Sequence, residues 1–155
     1  MPMDCPHGRN LRLGRTSTAG LAFHVTFSTH HRERLLLDLR HGRLVVDGLR
    51  WQDAAGHTTT LAYVVMPDHV HWLFILGESA GLSRVVAGLK GYAARRLNAA
   101  IGRYGTPVWQ AGYFDHAVRR DEDLLAMGRY IVHNPVRAGL VRDIGDYPLW
   151  DAWWV

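Results

Sequence analysis

Residues 63–76 read YVVMPDHVHWLFIL, and within them His69 and His71 are separated by a single valine. On a strand, alternate side chains share a face, so both imidazoles point one way and Val70 points the other. Two imidazoles on a rigid strand are half of a site for a divalent metal ion. The plainer alternative is a pair of half-buried histidines satisfied by hydrogen bonds, because a buried ring nitrogen needs a partner. Spacing alone does not choose between them. A second pair lies downstream in RYIVHNPV, where Tyr130 and Asn134 stand four apart, on one helical face. If that face meets the strand, a phenol hydroxyl and an amide oxygen come beside the two imidazoles. Two nitrogens and one amide oxygen would hold Mg²⁺ or Mn²⁺ with positions open for substrate oxygens. The tyrosine would then be placed to attack a phosphorus atom. The alternative here is a core tyrosine and an asparagine that caps its helix.

The elements that must position these residues follow from hydrophobic period. LAFHVTFSTH (21–30) alternates as a strand, with Phe23, Val25 and Phe27 on one face. RERLLLDLRHGRLVVDGLR (32–50) has helical spacing, weakened by Gly42 and Gly48. TTTLAYVVM (58–66) and HVHWLFIL (69–76) are two strand-like runs joined at Pro67-Asp68, a turn signal, and so form a hairpin. Residues 81–105 place Leu82, Val85, Val86, Leu89, Ala93, Leu97 and Ile101 at helical spacing. PVWQAGYFDHAVRR (107–120) reads as an aromatic-rich strand. DEDLLAMGRYIVHN (121–134) opens with acids that suit a helix N-terminus and stops before Pro135. The order predicts an α+β fold, a ferredoxin-like βαββαβ antiparallel sheet with an extra C-terminal helix carrying the tyrosine. The expected organisation is a flexible basic arm over 1–19, one domain over 20–141 and an aromatic tail over 142–155.

At 155 residues, 48% hydrophobic and 21% charged, the chain has the composition of one globular domain. No apolar run is long enough to span a bilayer, the first twenty residues lack the apolar segment of a signal peptide, and Cys5 stands alone. These features lead to the expectation of a cytoplasmic protein with no membrane partner. The net charge is +4, and Lys90 is the single lysine, so the positive charge is nearly all arginine. Arginine's planar fork suits phosphate and stacks on flat rings, which with six tryptophans points to a nucleic-acid partner.

MPDHVHWLF resembles the histidine–hydrophobic–histidine motif of the HUH single-strand DNA endonucleases. VWQAGYFDHAVRRDEDLLAMGRYIVHNPVRAGLV resembles the corresponding stretch of the REP-associated tyrosine transposases, relatives of the small single-strand insertion-sequence transposases. The resemblance covers roughly residues 20–150, and YIVHNPVRAGLV is its most specific part. It implies that His69 and His71 are metal ligands, that Asn134 is a third polar ligand, and that Tyr130 is the nucleophile. The implied activity is cleavage and transfer of single-stranded DNA beside hairpins of repetitive extragenic palindromes through a 5′-phosphotyrosine linkage. Asp68 and His116 fall where they could support the ligands. A monomer is favoured over a dimer, because members of this group can carry site and tyrosine in one chain.

Substrate binding needs a path for phosphates and a platform for bases. Lys90, Arg95 and Arg96 on the middle helix, Arg119 and Arg120 after the fourth strand, and Arg12 and Arg15 in the arm are the candidates for the first. Trp109, Phe114 and the tail residues Trp150, Trp153 and Trp154 are candidates for the second, although packing on the domain is the alternative for the tail. Tyr113 is the rival nucleophile. Two further classes compete with this reading. A hairpin-binding protein without cleavage activity would retain the same residues, whereas a histidine-triad hydrolase requires a third alternating histidine where this chain has Leu73.

Overall fold

The computed structural model describes residues 19–119 and 122–155. Its strands are β1 (Ala22–Ser28), β2 (Thr58–Val65), β3 (His69–Leu76), β4 (Phe114–Ala117) and β5 (Trp150–Ala152). Its α-helices are α1 (Leu39–Ala54), α2 (Leu82–Ile101), α3 (Leu124–Val132) and the single turn α4 (Asn134–Arg137). The strands form one antiparallel sheet in the order β4-β1-β3-β2-β5.

Strict alternation in β1 buries Phe23, Val25 and Phe27 together with Val70, Trp72 and Phe74 of β3. This face is covered by α1 and α2, which contribute Val45, Leu49, Val85, Leu89, Ala93 and Leu97. A side chain at Gly48 would meet Leu89 and Tyr92 of α2. The glycine that lowers helix propensity is therefore what lets the two helices approach. Helix α1 starts later than the leucine spacing suggests, at Leu39, because the Asp38 carboxylate caps it by accepting from the Arg40 backbone N–H at 2.9 Å. Leu35–Leu37 form a separate 3₁₀ turn before it.

The opposite face of the sheet carries a smaller apolar cluster, in which Ala62, Val64 and Leu73 meet Ile131 and Val132 of α3. Helix α3 is closed at its start by Asp123, whose side chain accepts from Leu125 and Ala126. It ends at His133, and Pro135 then sits in the first turn of α4, where its missing N–H costs nothing. The stretch expected to be an aromatic tail contains a strand. Residues 150–152 pair with 62–64 of β2, and the Tyr147 hydroxyl donates to the Val65 carbonyl at 2.6 Å. Three residues are too few to show a period in sequence. Similarly, among the described residues of the run 107–120, 114–117 pair as a strand and Trp109 forms one isolated bridge with Thr29. The proposed arm lies almost wholly outside the described residues.

Candidate nuclease site

Three histidines converge on the α3 face of the sheet. His71 pairs with Thr26 of β1 in the strand register, and His24 lies diagonally across from it. His24 Nε2 is 3.0 Å from His71 Nδ1, and the Thr26 hydroxyl is 3.2 Å from the same His71 nitrogen. The His69 and His71 rings are 5.0 Å apart and nearly perpendicular. His69 Nδ1 is 2.7 Å from the Asp68 carboxylate. Partial burial raises the Asp68 pKa, but hydrogen bonds from His69 and Arg32 outweigh it and hold the carboxyl below its ordinary value. An ionised carboxylate can only accept, so His69 donates from Nδ1, and Nε2 is the nitrogen turned away from Asp68.

Burial, then the neighbouring His24, His69 and Arg137, push the His71 pKa down to about 3. Burial and the facing His116 bring His24 down to about 4. Both rings are neutral at pH 7, which is the state that can ligate a metal. In the tautomer that carries its proton on Nδ1, His71 donates to His24 Nε2 and likewise presents Nε2. In both ligand candidates one nitrogen is tied and the other is open, as for metal-binding histidines held by a further partner. Among the described residues no group of three or more His, Cys, Asp or Glu side chains is arranged to hold a metal ion by itself. The donor set is an open one of mixed nitrogen and oxygen character, and it fits a hard divalent ion that keeps positions for substrate oxygens.

Tyr130 lies on the outer side of α3, 63% exposed, with the Arg137 guanidinium 3.7 Å from its ring centroid. The charge of Arg137 is also felt by His71, so one arginine links the tyrosine to the histidines. Asn134 is half-buried, and its Nδ2 donates to the Ile131 carbonyl at 2.8 Å, which leaves its amide oxygen to accept. Tyr113 packs partly buried against the core beneath the opposite face.

His116 faces His24 across β1 and β4, and its Nε2 is 3.0 Å from Glu122. The Lys90 ammonium donates to the Gln110 and Gly112 carbonyls at 3.0 and 2.6 Å, holding the loop before β4. Any part of Lys90 in DNA binding is thus through that loop. Arg95 and Arg96 are exposed on α2, across the sheet from the histidines, and Arg96 donates to the Tyr92 hydroxyl. Arg119 is exposed just past β4. Arg12, Arg15 and Arg120 lie outside the described residues. Trp153 and Trp154 pack edge to face and cover Gly128 of α3, where a Cβ would lie 2.7 Å from the Trp154 ring.

Three site residues escaped the sequence reading: His24, Arg137 and Arg32. Arg32 follows His31, and both hold left-handed backbone angles, φ 55° and 54°. For non-glycine residues that conformation costs about 1–3 kcal/mol and marks functional segments. The turn aims Arg32 Nε at the Asp68 carboxylate, 3.1 Å away.

The paired histidines of β3 and the tyrosine-bearing helix α3 thus lie on one face of a small α+β domain. The chain belongs to the IS200-like transposase family, whose model matches residues 17–134. It is 31% identical over 88 residues to the REP-associated tyrosine transposase of Escherichia coli K12, covering 56% of this chain and 50% of that protein. A Haemophilus influenzae protein provisionally given the same name is 31% identical over 98 residues, 57% of this chain and 56% of its own length. The chain thus spans about half the length of the curated relatives it matches. Its fold is similar to that of a REP-associated tyrosine transposase solved bound to a REP hairpin, with TM-score 0.70, 24% identity, and 85% and 76% of the two chains covered. It is also similar to a solved Deinococcus radiodurans protein assigned as a transposase, with TM-score 0.54, 26% identity, and 74% and 89% covered. No described helix is long and apolar enough to cross a membrane.

Proposed function

We propose that the protein is a metal-dependent single-strand DNA endonuclease and strand transferase that acts at REP-type hairpins through Tyr130. The observation that carries this reading is the pair His69 and His71, each with Nδ1 engaged and Nε2 open, on the face covered by the tyrosine helix. The order β4-β1-β3-β2 supports taking the first four strands as a ferredoxin-like βαββαβ unit, with α3 added to bring the nucleophile. The hairpin-bound relative supports hairpin DNA as the partner.

In this mechanism the Tyr130 hydroxyl attacks the scissile phosphorus. The Oη–P bond forms as the P–O3′ bond breaks, the phenol loses its proton, and the departing 3′ oxygen gains one. The DNA 5′ end stays joined to the tyrosine, so rejoining or transfer to another 3′-hydroxyl needs no external energy source. His69, His71 and Asn134 would hold Mg²⁺ or Mn²⁺, which supplies Lewis-acid stabilisation of charge developing on the phosphate. Asp68 orients His69, and Arg32 fixes Asp68. Arg137 caps the tyrosine ring and places positive charge where the phosphate must arrive.

The test is a denaturing gel of the protein incubated with labelled single-stranded hairpin DNA and Mg²⁺ or Mn²⁺, with the duplex as control. A metal-dependent, single-strand-specific covalent band is expected, absent in Tyr130→Phe and His69→Ala. Adduct formation by Tyr130→Phe would remove the nucleophile assignment. Retained binding without any band, across the hairpins of the source genome, would move the assignment to a hairpin-binding protein that does not cut.

A further inference from the structure

The face that carries the histidines continues onto β4. Phe114 is the register partner of Thr26, and Thr26 is the partner of His71. These three side chains form one row across β4, β1 and β3, placing Phe114 roughly 10 Å from His71 at ~4.8 Å per strand. Phe114 is 73% exposed. Beside it is an open cleft of about 200 Å³ between the end of β1 and residues 110–113. That is smaller than the ~300–1,000 Å³ of pockets for drug-sized ligands, and suits a single heterocycle.

A lone exposed apolar side chain is ordinary. What distinguishes Phe114 is its setting. The loop that walls the cleft is fixed before anything binds, because Lys90 holds the Gln110 and Gly112 carbonyls and the Gln110 N–H donates to the Ser28 carbonyl. The cleft lining includes Thr26, Ser28 and Gln110, two hydroxyls and an amide that can pair with the polar edge of a ring. Arg32 lies at its end, 57% exposed and 3.5 Å from the Ser28 hydroxyl, and brings positive charge for a phosphate. The other aromatic candidates are otherwise engaged. Trp109 packs edge-on against Phe27 with its N–H bonded to the Lys90 carbonyl, and Trp153 and Trp154 pack on each other and on α3.

We propose that this cleft binds one unpaired base of single-stranded DNA, stacked on Phe114, beside the phosphodiester that Tyr130 attacks. The inference rests on the single-strand reading of the site. It adds a physical source of strand selectivity, since a stacked base must be free of its complement.

The test uses the full chain carrying Tyr130→Phe, so that binding is read without cutting, and oligonucleotides with 2-aminopurine at successive positions outside the hairpin. One position is expected to lose fluorescence on binding. Phe114→Ala should abolish that change and weaken single-strand affinity roughly 5- to 100-fold, while Phe114→Tyr restores both. Affinity for the fully paired hairpin should not move, and the thermal midpoint of both variants should match the parent. Quenching unaffected by Phe114→Ala at every position, or an equal loss of duplex affinity, would overturn the proposal. If the quench depends on Phe114 but the Tyr130 protein forms no adduct, the cleavage reading fails and the base subsite stands.

Discussion

The site has two halves built on different principles. The histidine half sits on β1 and β3 near the middle of the sheet, where burial, cross-strand hydrogen bonds and a carboxylate fix each ring. The tyrosine half sits on a nine-residue helix with Tyr130, the proposed nucleophile, in the open, and is held from beneath by Ile131, Val132 and the terminal tryptophans. A metal ligand set tolerates little error in angle, so it belongs on paired strands. A nucleophile that becomes joined to a long polymer needs room, and an exposed helix face provides it. The contrast predicts that the halves can be damaged separately.

Tyr130→Phe and His71→Ala should have the largest effects, each lowering adduct formation beyond about a thousandfold. Only the histidine change should also abolish Mn²⁺ binding measured by calorimetry; parallel loss in both variants would erase the distinction between the halves. Next, His24→Ala should weaken Mn²⁺ affinity about 10- to 100-fold, as removal of a ligand's supporting partner does, with hairpin affinity retained. Gly128→Leu should push Trp154 off α3, cost about 1–3 kcal/mol in denaturant unfolding, and slow adduct formation several-fold while Mn²⁺ affinity holds.

The remaining prediction concerns pH. His24 and His71 have folded-state pKa values of about 4 and about 3, below the ordinary 6.5. Between those values and 6.5 the unfolded chain binds more protons, so stability of the metal-free protein falls as pH drops through that window and is fully present above it. The urea midpoint should therefore decrease from pH 7 to pH 5, and His24→Asn should flatten the slope. An unchanged slope in that variant would show that His24 does not titrate as its burial requires.

Much of this arrangement was legible in the chain, because local period carries it. Alternation in 21–30 identified the buried face of β1, and the spacing of His69 to His71 set that both share a face. Helix α3, by contrast, ends at Val132, before the Asn134 expected to share a helical face with Tyr130. Contacts between distant segments were not legible. His24 sits in a well-formed strand, and its place beside His71 depends on the β1–β3 register. Arg137 follows a proline, and sequence does not show that the helix resumes for one turn and folds the guanidinium over Tyr130. Lys90 was expected on the phosphate path, whereas its ammonium donates to two loop carbonyls. Residues 107–113 carry aromatics that resemble strand residues, yet Gly112, at φ 79°, and the lysine clamp hold them as a loop.

The docking of α3 has one kinetic consequence. Because the tryptophan-covered helix rests on the sheet of its own chain, the proposed nucleophile Tyr130 and the histidines are carried by one molecule in the proposed mechanism. Adduct formation at saturating DNA is then first order in protein, and a tenfold dilution should leave the rate per molecule unchanged. A rate that falls in proportion to concentration would mean that a second copy delivers the tyrosine.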